Sequence, residues 1–192
     1  MKDQDIHPWL RRMIQGDSDA FTQIYRMTRD HVYRTVRFLI GHKEDAADVV
    51  SEIYIQLYRS LPAYNFEQPF RFWLNGLIIR QSNNWKRKLW RSLRLFDRSK
   101  LAVETPAPNL SEERYVANEQ RNELLDLVNQ LPYRLREVIV LRHYQECSFE
   151  EIASTLNIPI GTVKSRHHNA IRKLRQLSGH QLIPKEASLH VD

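Results

Sequence analysis

The chain has 192 residues, 42% of them hydrophobic, with 29 Lys and Arg against 23 Asp and Glu, a formal charge of +6. That much apolar material excludes a disordered chain and suits one ordinary domain or two small ones, while the positive balance favours polyanionic partners such as nucleic acid. The lone Cys147 excludes an internal disulfide, Val138 to Leu141 is far short of the roughly 18 apolar residues that cross a bilayer, and the opening Met1-Lys2-Asp3-Gln4-Asp5 lacks the basic-then-apolar order of a signal peptide, so a soluble cytoplasmic protein without stable membrane insertion is expected.

Five glycines and no sustained alternation of β-branched with polar residues predict an all-α fold of two small helical domains. Phe21, Ile24, Tyr25, Thr28, Val32, Val36, Leu39 and Ile40 repeat at helical spacing, entered through Asp17-Ser18 and stopped near Gly41, with room for a break between two helices around Asp30. The next segment, Asp45 to Leu61, puts Ala46, Val50, Ile53 and Leu57 on one face and Asp45, Asp48 and Glu52 on the opposite one, and Pro62 closes it. A loop with Asn65 and Pro69 follows. Beyond it a helix carries Trp73, Leu74, Leu77, Ile78, Gln81, Trp85 and Leu89 on its expected buried side and then turns basic: from Trp85 to Arg98, six cationic side chains face Asp97 alone.

From Asp97 to Glu119 the character changes, with Pro106, Pro108, small residues and three positive against five negative side chains, which reads as a linker. Periodicity resumes with Leu124, Leu127, Val128 and Leu131, breaks at Pro132, and continues with Leu135, Val138, Ile139 and Arg142. Ser148 and Glu151 match a capping box that opens a helix with Ile152, Ala153 and Leu156 inward; Asn157 to Gly161 is the turn, and Thr162 to Leu177 the final helix. No internal repeat is evident, and residues 179–192 read as a poorly ordered tail.

Two short helices and a tight turn are the helix-turn-helix shape, whose second helix fits the major groove. Val163, Ala170, Ile171 and Leu174 form the core stripe of that second helix, while Lys164, Arg166, Arg172, Lys173 and Arg175 stand without an acidic residue between Gly161 and Leu177. Phosphates and the counterions they release favour such a helix. Lys164, Ser165, His168 and Asn169 suit base edges, and Arg166, Arg172 and Lys173 suit phosphate. A merely solvated basic face is the bland alternative.

At this point a resemblance becomes specific. Leu131-Pro132-Tyr133-Arg134-Leu135-Arg136-Glu137-Val138, Ser148-Phe149-Glu150-Glu151-Ile152-Ala153 and Gly161-Thr162-Val163-Lys164-Ser165-Arg166 resemble region 4 of the extracytoplasmic-function (ECF) sigma factors. LuxR-type effectors share much of this pattern. Gly16-Asp17 with Ala20-Phe21 and Tyr25, Asp45-Ala46-Ala47-Asp48-Val49-Val50-Ser51-Glu52, and Phe70-Arg71-Phe72-Trp73-Leu74 leading to Lys86-Arg87-Lys88 resemble region 2 of the same family, in order and spacing.

The resemblance implies region 2 at 1–96, a linker at 97–119 that would thread the RNA channel, region 4 at 120–178 and a tail at 179–192. Its implied partners are core RNA polymerase, through the β′ clamp helices and β flap, double-stranded and locally melted promoter DNA, and an anti-sigma factor. Asp45, Asp48, Val49 and Glu52 would then dock on the clamp helices, although the carboxylates alone are equally read as a solvated helix face and Asp45 suits a first helical turn. Arg80, Asn83, Asn84, Lys86, Arg87, Lys88 and Arg91 would engage the minus-10 element, and Gln81, Asn83 and Asn84 beside aromatic surface offer a place for an unstacked base. For Trp73 and Trp85 the preferred reading is core packing, with Trp90 freer. Where many members have an Asn in an Ile-Ala-Arg-Asn-like run, this chain has Ile78-Ile79-Arg80-Gln81, a departure that leaves both base readout and a grip on phosphate open to Arg80. Thr162, Lys164, Ser165, Arg166, His168, Asn169, Arg172 and Lys173 would engage the minus-35 element. A free-standing helix-turn-helix regulator is the competing reading.

No enzyme is expected. His143 and Cys147 are four apart and His167-His168 adjacent, but a structural zinc needs four ligands and a catalytic one three, so neither metal nor cofactor is expected. Cys147 has no base with an orienting partner in the sequence, and phosphate-loop and dinucleotide glycine patterns are absent.

Overall fold

A computed structural model describes residues 2–41, 43–97 and 119–178, and among these residues there is helix and no strand. The chain divides into two compact units, Met1–Arg121 and Asn122–Asp192. The expected linker lies outside the described residues except at its ends, and the expected tail lies wholly outside them.

The first unit holds four helices: α1 (Asp3–Ile14), α2 (Ser18–Ile40), α3 (Lys43–Ser60) and α4 (Phe70–Asp97). Ile6, Leu10 and Met13 place one apolar stripe of α1 on its neighbours, and the chain turns at Gly16, whose φ of +91° suits a residue without Cβ. Asp17 then caps α2, accepting from the Asp19 and Ala20 N–H groups at 2.9 and 3.3 Å. Arg12 Nη2 sits 2.7 Å from Asp17 and holds that carboxyl below its ordinary pKa. No break occurs at Asp30. Thr28, Val32, Thr35 and Val36 keep the buried stripe in register through it, so α2 runs unbroken to Gly41.

Helix α3 lies between α2 and α4, packed on both. Ala46, Val49, Ile53, Tyr54 and Leu57 are its buried residues, with Val49, Ile53 and Leu57 each contributing about 1.5–3 kcal/mol of transfer free energy. Pro62 closes it through a short 3-10 turn, Leu61–Ala63. Leu74, Leu77, Ile78 and Ile79 anchor α4, with buried Gln81 beside them. Leu89, expected inside, is 38% exposed, because α4 continues past the helices that cover its first half. Trp73 and Trp85 are half-buried; Trp73 packs tilted against Tyr64 at 4.9 Å and Phe70 at 5.7 Å. The N-terminus of α4 is completed from far away in sequence, since Asp3 of α1 accepts the Phe70 N–H at 2.9 Å.

The second unit contains α5 (Glu119–Asn129) from Asn122 onward, α6 (Tyr133–Ile139) passing into a π-helical turn (Val140–Tyr144), α7 (Phe149–Leu156) and α8 (Ile160–Leu177). Val128, Leu131, Val138, Ile139, Leu141, Ile152, Val163, Ala170 and Leu174 make its core; Leu124, expected among them, is 53% exposed. The capping box forms as the sequence predicts, with Ser148 accepting from the Glu151 N–H and Glu151 accepting from the Ser148 N–H. Asn157 takes the left-handed conformation at φ 51°, which Asn tolerates, and turns the chain from α7 into α8. Helix α8 begins two residues before the expected Thr162.

Candidate polymerase and nucleic-acid interfaces

In the first unit, α3 forms a ridge flanked by two unlike grooves. Toward α4 lies a groove of about 700 Å³ with Asp48, Glu52 and Gln56 on one wall and Arg80, Gln81, Asn84, Trp85, Arg87, Lys88 and Arg91 on the other. Carboxylates thus face cations across an open channel. Among the described residues none of the ion pairs joins these walls. Glu52 instead accepts from Gln56 Nε2 at 3.0 Å, and Arg87 donates to Asn84, whose Nδ2 donates to Gln81 at 3.0 Å. Amide groups are thereby held in a chain beside the half-buried Trp85.

Asp48 is exposed, and Asp45 and Glu52 are half-buried. Val49, expected among the docking residues, is only 4% exposed and lines the groove floor, while Val50, expected in the core, is the less buried of the two. Both neighbours of α3 need apolar contact, so the buried arc turns by about one residue step from the face that spacing alone suggests. Of the expected minus-10 residues, Arg80, Arg87, Lys88 and Arg91 are exposed and Asn83, Asn84 and Lys86 half-buried; Asn83 and Lys86 lie outside the groove lining.

On the other flank of α3, toward α2, Phe21, Tyr25, Val50, Tyr54, Ile55 and Tyr58 line an apolar groove of about 530 Å³. Sequence reasoning missed it. Ile55 is 44% and Tyr58 60% exposed, large apolar surfaces that a packed monomer rarely leaves open side by side. Tyr54 forms the floor: Tyr25 packs on it at 4.9 Å, its hydroxyl bonds Thr28 at 2.8 Å, and burial pushes its pKa up to about 12. The available signal was Ile55 and Tyr58 falling on the polar side of α3.

In the second unit, α8 presents Gly161, Lys164, Ser165, His168, Asn169, Arg172 and Gln176 to solvent with no acidic residue anywhere along it, while Thr162 and Lys173 are half-buried. Ser165 Oγ donates to the Thr162 carbonyl at 3.0 Å and Arg172 to Asn169 at 3.2 Å, so the polar face is partly ordered already. Arg166, expected on phosphate, is turned inward: its Nη1 lies 3.3 Å from Glu137, whose side chain is 8% exposed. His143 does not meet Cys147. Its Nε2 is 2.9 Å from His167 Nε2, and the buried Cys147 thiol lies 3.7 Å from the Gln145 carbonyl.

Residues 24–99 match the Sigma-70 region 2 family and residues 121–174 the Sigma-70 region 4 family. The chain is 28% identical over 174 residues to the ECF RNA polymerase sigma factor SigW of Bacillus subtilis, spanning 87% of this chain and 93% of that one. It is 30% identical over 167 residues to the ECF sigma factor SigE of Mycolicibacterium smegmatis, spanning 84% of this chain and 62% of that one. Among solved structures, the sigma factor RpoE of Bartonella quintana, in complex with the anti-sigma factor NepR, superposes with a TM-score of 0.69 at 20% identity over 84% of this chain and 98% of that one. CnrH, in complex with the cytosolic domain of CnrY, gives 0.64 at 21% identity over 90% and 96%. A regulator that works apart from polymerase would carry region 4 without region 2. With both regions present in order, the chain belongs to the extracytoplasmic-function sigma factors: it is a non-enzymatic initiation factor that directs transcription from the promoters of an alternative regulon.

Proposed function

We propose that the two units divide promoter recognition between them, α4 engaging the minus-10 element and α8 the minus-35 element, while α3 docks on the β′ clamp helices of core polymerase. The observation that carries this reading is the sorting of charge by helix. Carboxylates sit on α3, with Asp48 exposed and Asp45 and Glu52 half-buried, whereas cations and amides sit on α4 and α8. A protein partner with basic side chains suits the first, and a polyanion suits the others. The aromatic groove beside α3 extends the docking surface with apolar area that charge alone does not provide.

On α4, Arg80, Lys86, Arg87, Lys88 and Arg91 hold backbone phosphate, and the groove wall of Gln81, Asn84 and Trp85 offers hydrogen bonds and a stacking face to an unstacked base. On α8, Lys164, Ser165, His168 and Asn169 meet base edges and Thr162, Arg172 and Lys173 position the backbone; Arg166 acts through Glu137 and not on phosphate. Each element binds weakly and the joined pair binds well, because the second contact forms within one molecule. An anti-sigma protein that covers α3 is the further partner, as NepR is the anti-sigma factor bound to RpoE.

Copurification with core polymerase and run-off transcription from a minimal promoter test the reading. A chain that joins core and starts transcription at one site, and loses both with Asp48→Lys and Glu52→Lys, supports it; core binding indifferent to those reversals overturns the docking assignment.

A further inference from the structure

The segment Val140–Tyr144 winds as a π-helix. Such turns are wider than α-helical ones, occur mostly as single bulges, and concentrate at functional places. Here the turn carries His143 to α8, where its Nε2 meets His167 Nε2 at 2.9 Å. The ring centroids are 5.1 Å apart, more than the nitrogens by about the two ring radii, so the imidazoles meet tip to tip in an N–H···N hydrogen bond. The contact is open to solvent on the His143 side and backed on the His167 side. Phe149 of α7 packs edge-on against His167 at 5.3 Å, and Arg142 lies over Phe149 at 4.8 Å while donating to the Cys147 carbonyl at 2.9 Å.

The neighbouring residue of α8, Arg166, is tied to Glu137 on α6. Two consecutive α8 residues are therefore fastened to the preceding helical segment, and the exposed Lys164, Ser165, His168 and Asn169 flank them on either side. Successive residues on a helix point about 100° apart, so a rotation of α8 by a fraction of that angle exchanges the side chains that reach a base edge. One fastening fixes α8 at a point; the second restrains its rotation about that point.

We propose that His143 and His167 are positioning residues for minus-35 recognition, their shared hydrogen bond setting the rotation of α8 and so the base preference. The inference rests on α8 being the minus-35 reader. His143 is the informative member, because it sits on another element and acts on bases only through His167.

The test uses the full chain assembled with core polymerase and a duplex library randomised across the minus-35 positions. The duplex selected by the natural chain is then compared with a scrambled one by fluorescence anisotropy, alongside a thermal melt of each variant. His143→Ala and His167→Ala are each expected to cut the selected-to-scrambled affinity ratio about tenfold, with scrambled binding unchanged within about twofold. The double variant should be no worse than either single one, and His143→Gln, which still donates and accepts, should keep most of the preference. An unchanged ratio for His143→Ala overturns the proposal, as do additive losses, or equal falls on both duplexes that track the melting temperature. Lys164→Ala separates the two levels: if it too leaves the preference unchanged, the reading of α8 itself has failed.

Discussion

Helices α4 and α8 are both basic, yet they hold their cations in opposite ways. On α4 the guanidinium groups of Arg80, Arg87 and Arg91 look across a groove at Asp48 and Glu52. On α8, Glu137 takes Arg166 out of the exposed set, while among the described residues no ion pair joins Lys164, Arg172 or Lys173 to an acid. A cation that already faces a carboxylate gains less from phosphate, because part of its counter-charge is supplied by the protein. The difference teaches that formal charge counts overstate the free cationic surface of α4 and describe that of α8 better.

The largest effect that sharpens this contrast is on stability. Glu137→Ala leaves Arg166 without its partner, and the second unit is expected to lose about 3 kcal/mol with the first unit's unfolding unchanged, which urea titration followed at separate probes in the two units would measure. Next in size, Lys164→Ala is expected to cost about 1–3 kcal/mol of discrimination at one minus-35 base pair, seen as a flattened preference in competition binding. Smaller still are salt effects: Lys173→Ala should reduce the slope of log affinity against log salt by about one, whereas Arg91→Ala should reduce it by less, and equal reductions would break the comparison. The smallest concerns protons. Burial and the neighbouring His143, Arg142 and His168 hold the His167 pKa down to about 4, below its ordinary value of 6.5. The unfolded chain therefore binds the proton more readily between those values, so the stability from this pair is whole above about pH 6.5 and drains away as the pH falls toward 4. His167→Gln should flatten that decline in melts of the full chain taken across the range.

Much of the fold was legible because the devices that make it are local. Asp17 and Gly41 bound α2, and Ser148 with Glu151 opens α7, each within four residues of the helix it controls. Helix α1 was not read: Pro8 and flanking charge interrupt the pattern, and only packing of Ile6, Leu10 and Met13 on later helices makes it worthwhile. Val49 against Val50 was undecidable by period, since the width of the apolar arc depends on two neighbours that spacing does not reveal. At the site the cations were visible as residue types, but Arg166 meets a carboxylate 29 residues away and His143 reaches His167 only through a π turn, which no local signal separates from an α-helical one. The groove of Tyr25, Ile55 and Tyr58 failed for a related reason: apolar residues read as core unless the fold shows that nothing covers them.

The bond from Asp3 to the Phe70 N–H joins residues 67 positions apart. During synthesis the chain emerges from its N-terminus, so the partner that finishes the start of α4 waits, already made, until residue 70, more than a third of the way along the chain, has left the ribosome. The first turn of α4 is thus completed only when the first unit closes on itself, and a nascent fragment stopped short of that closure lacks this bond.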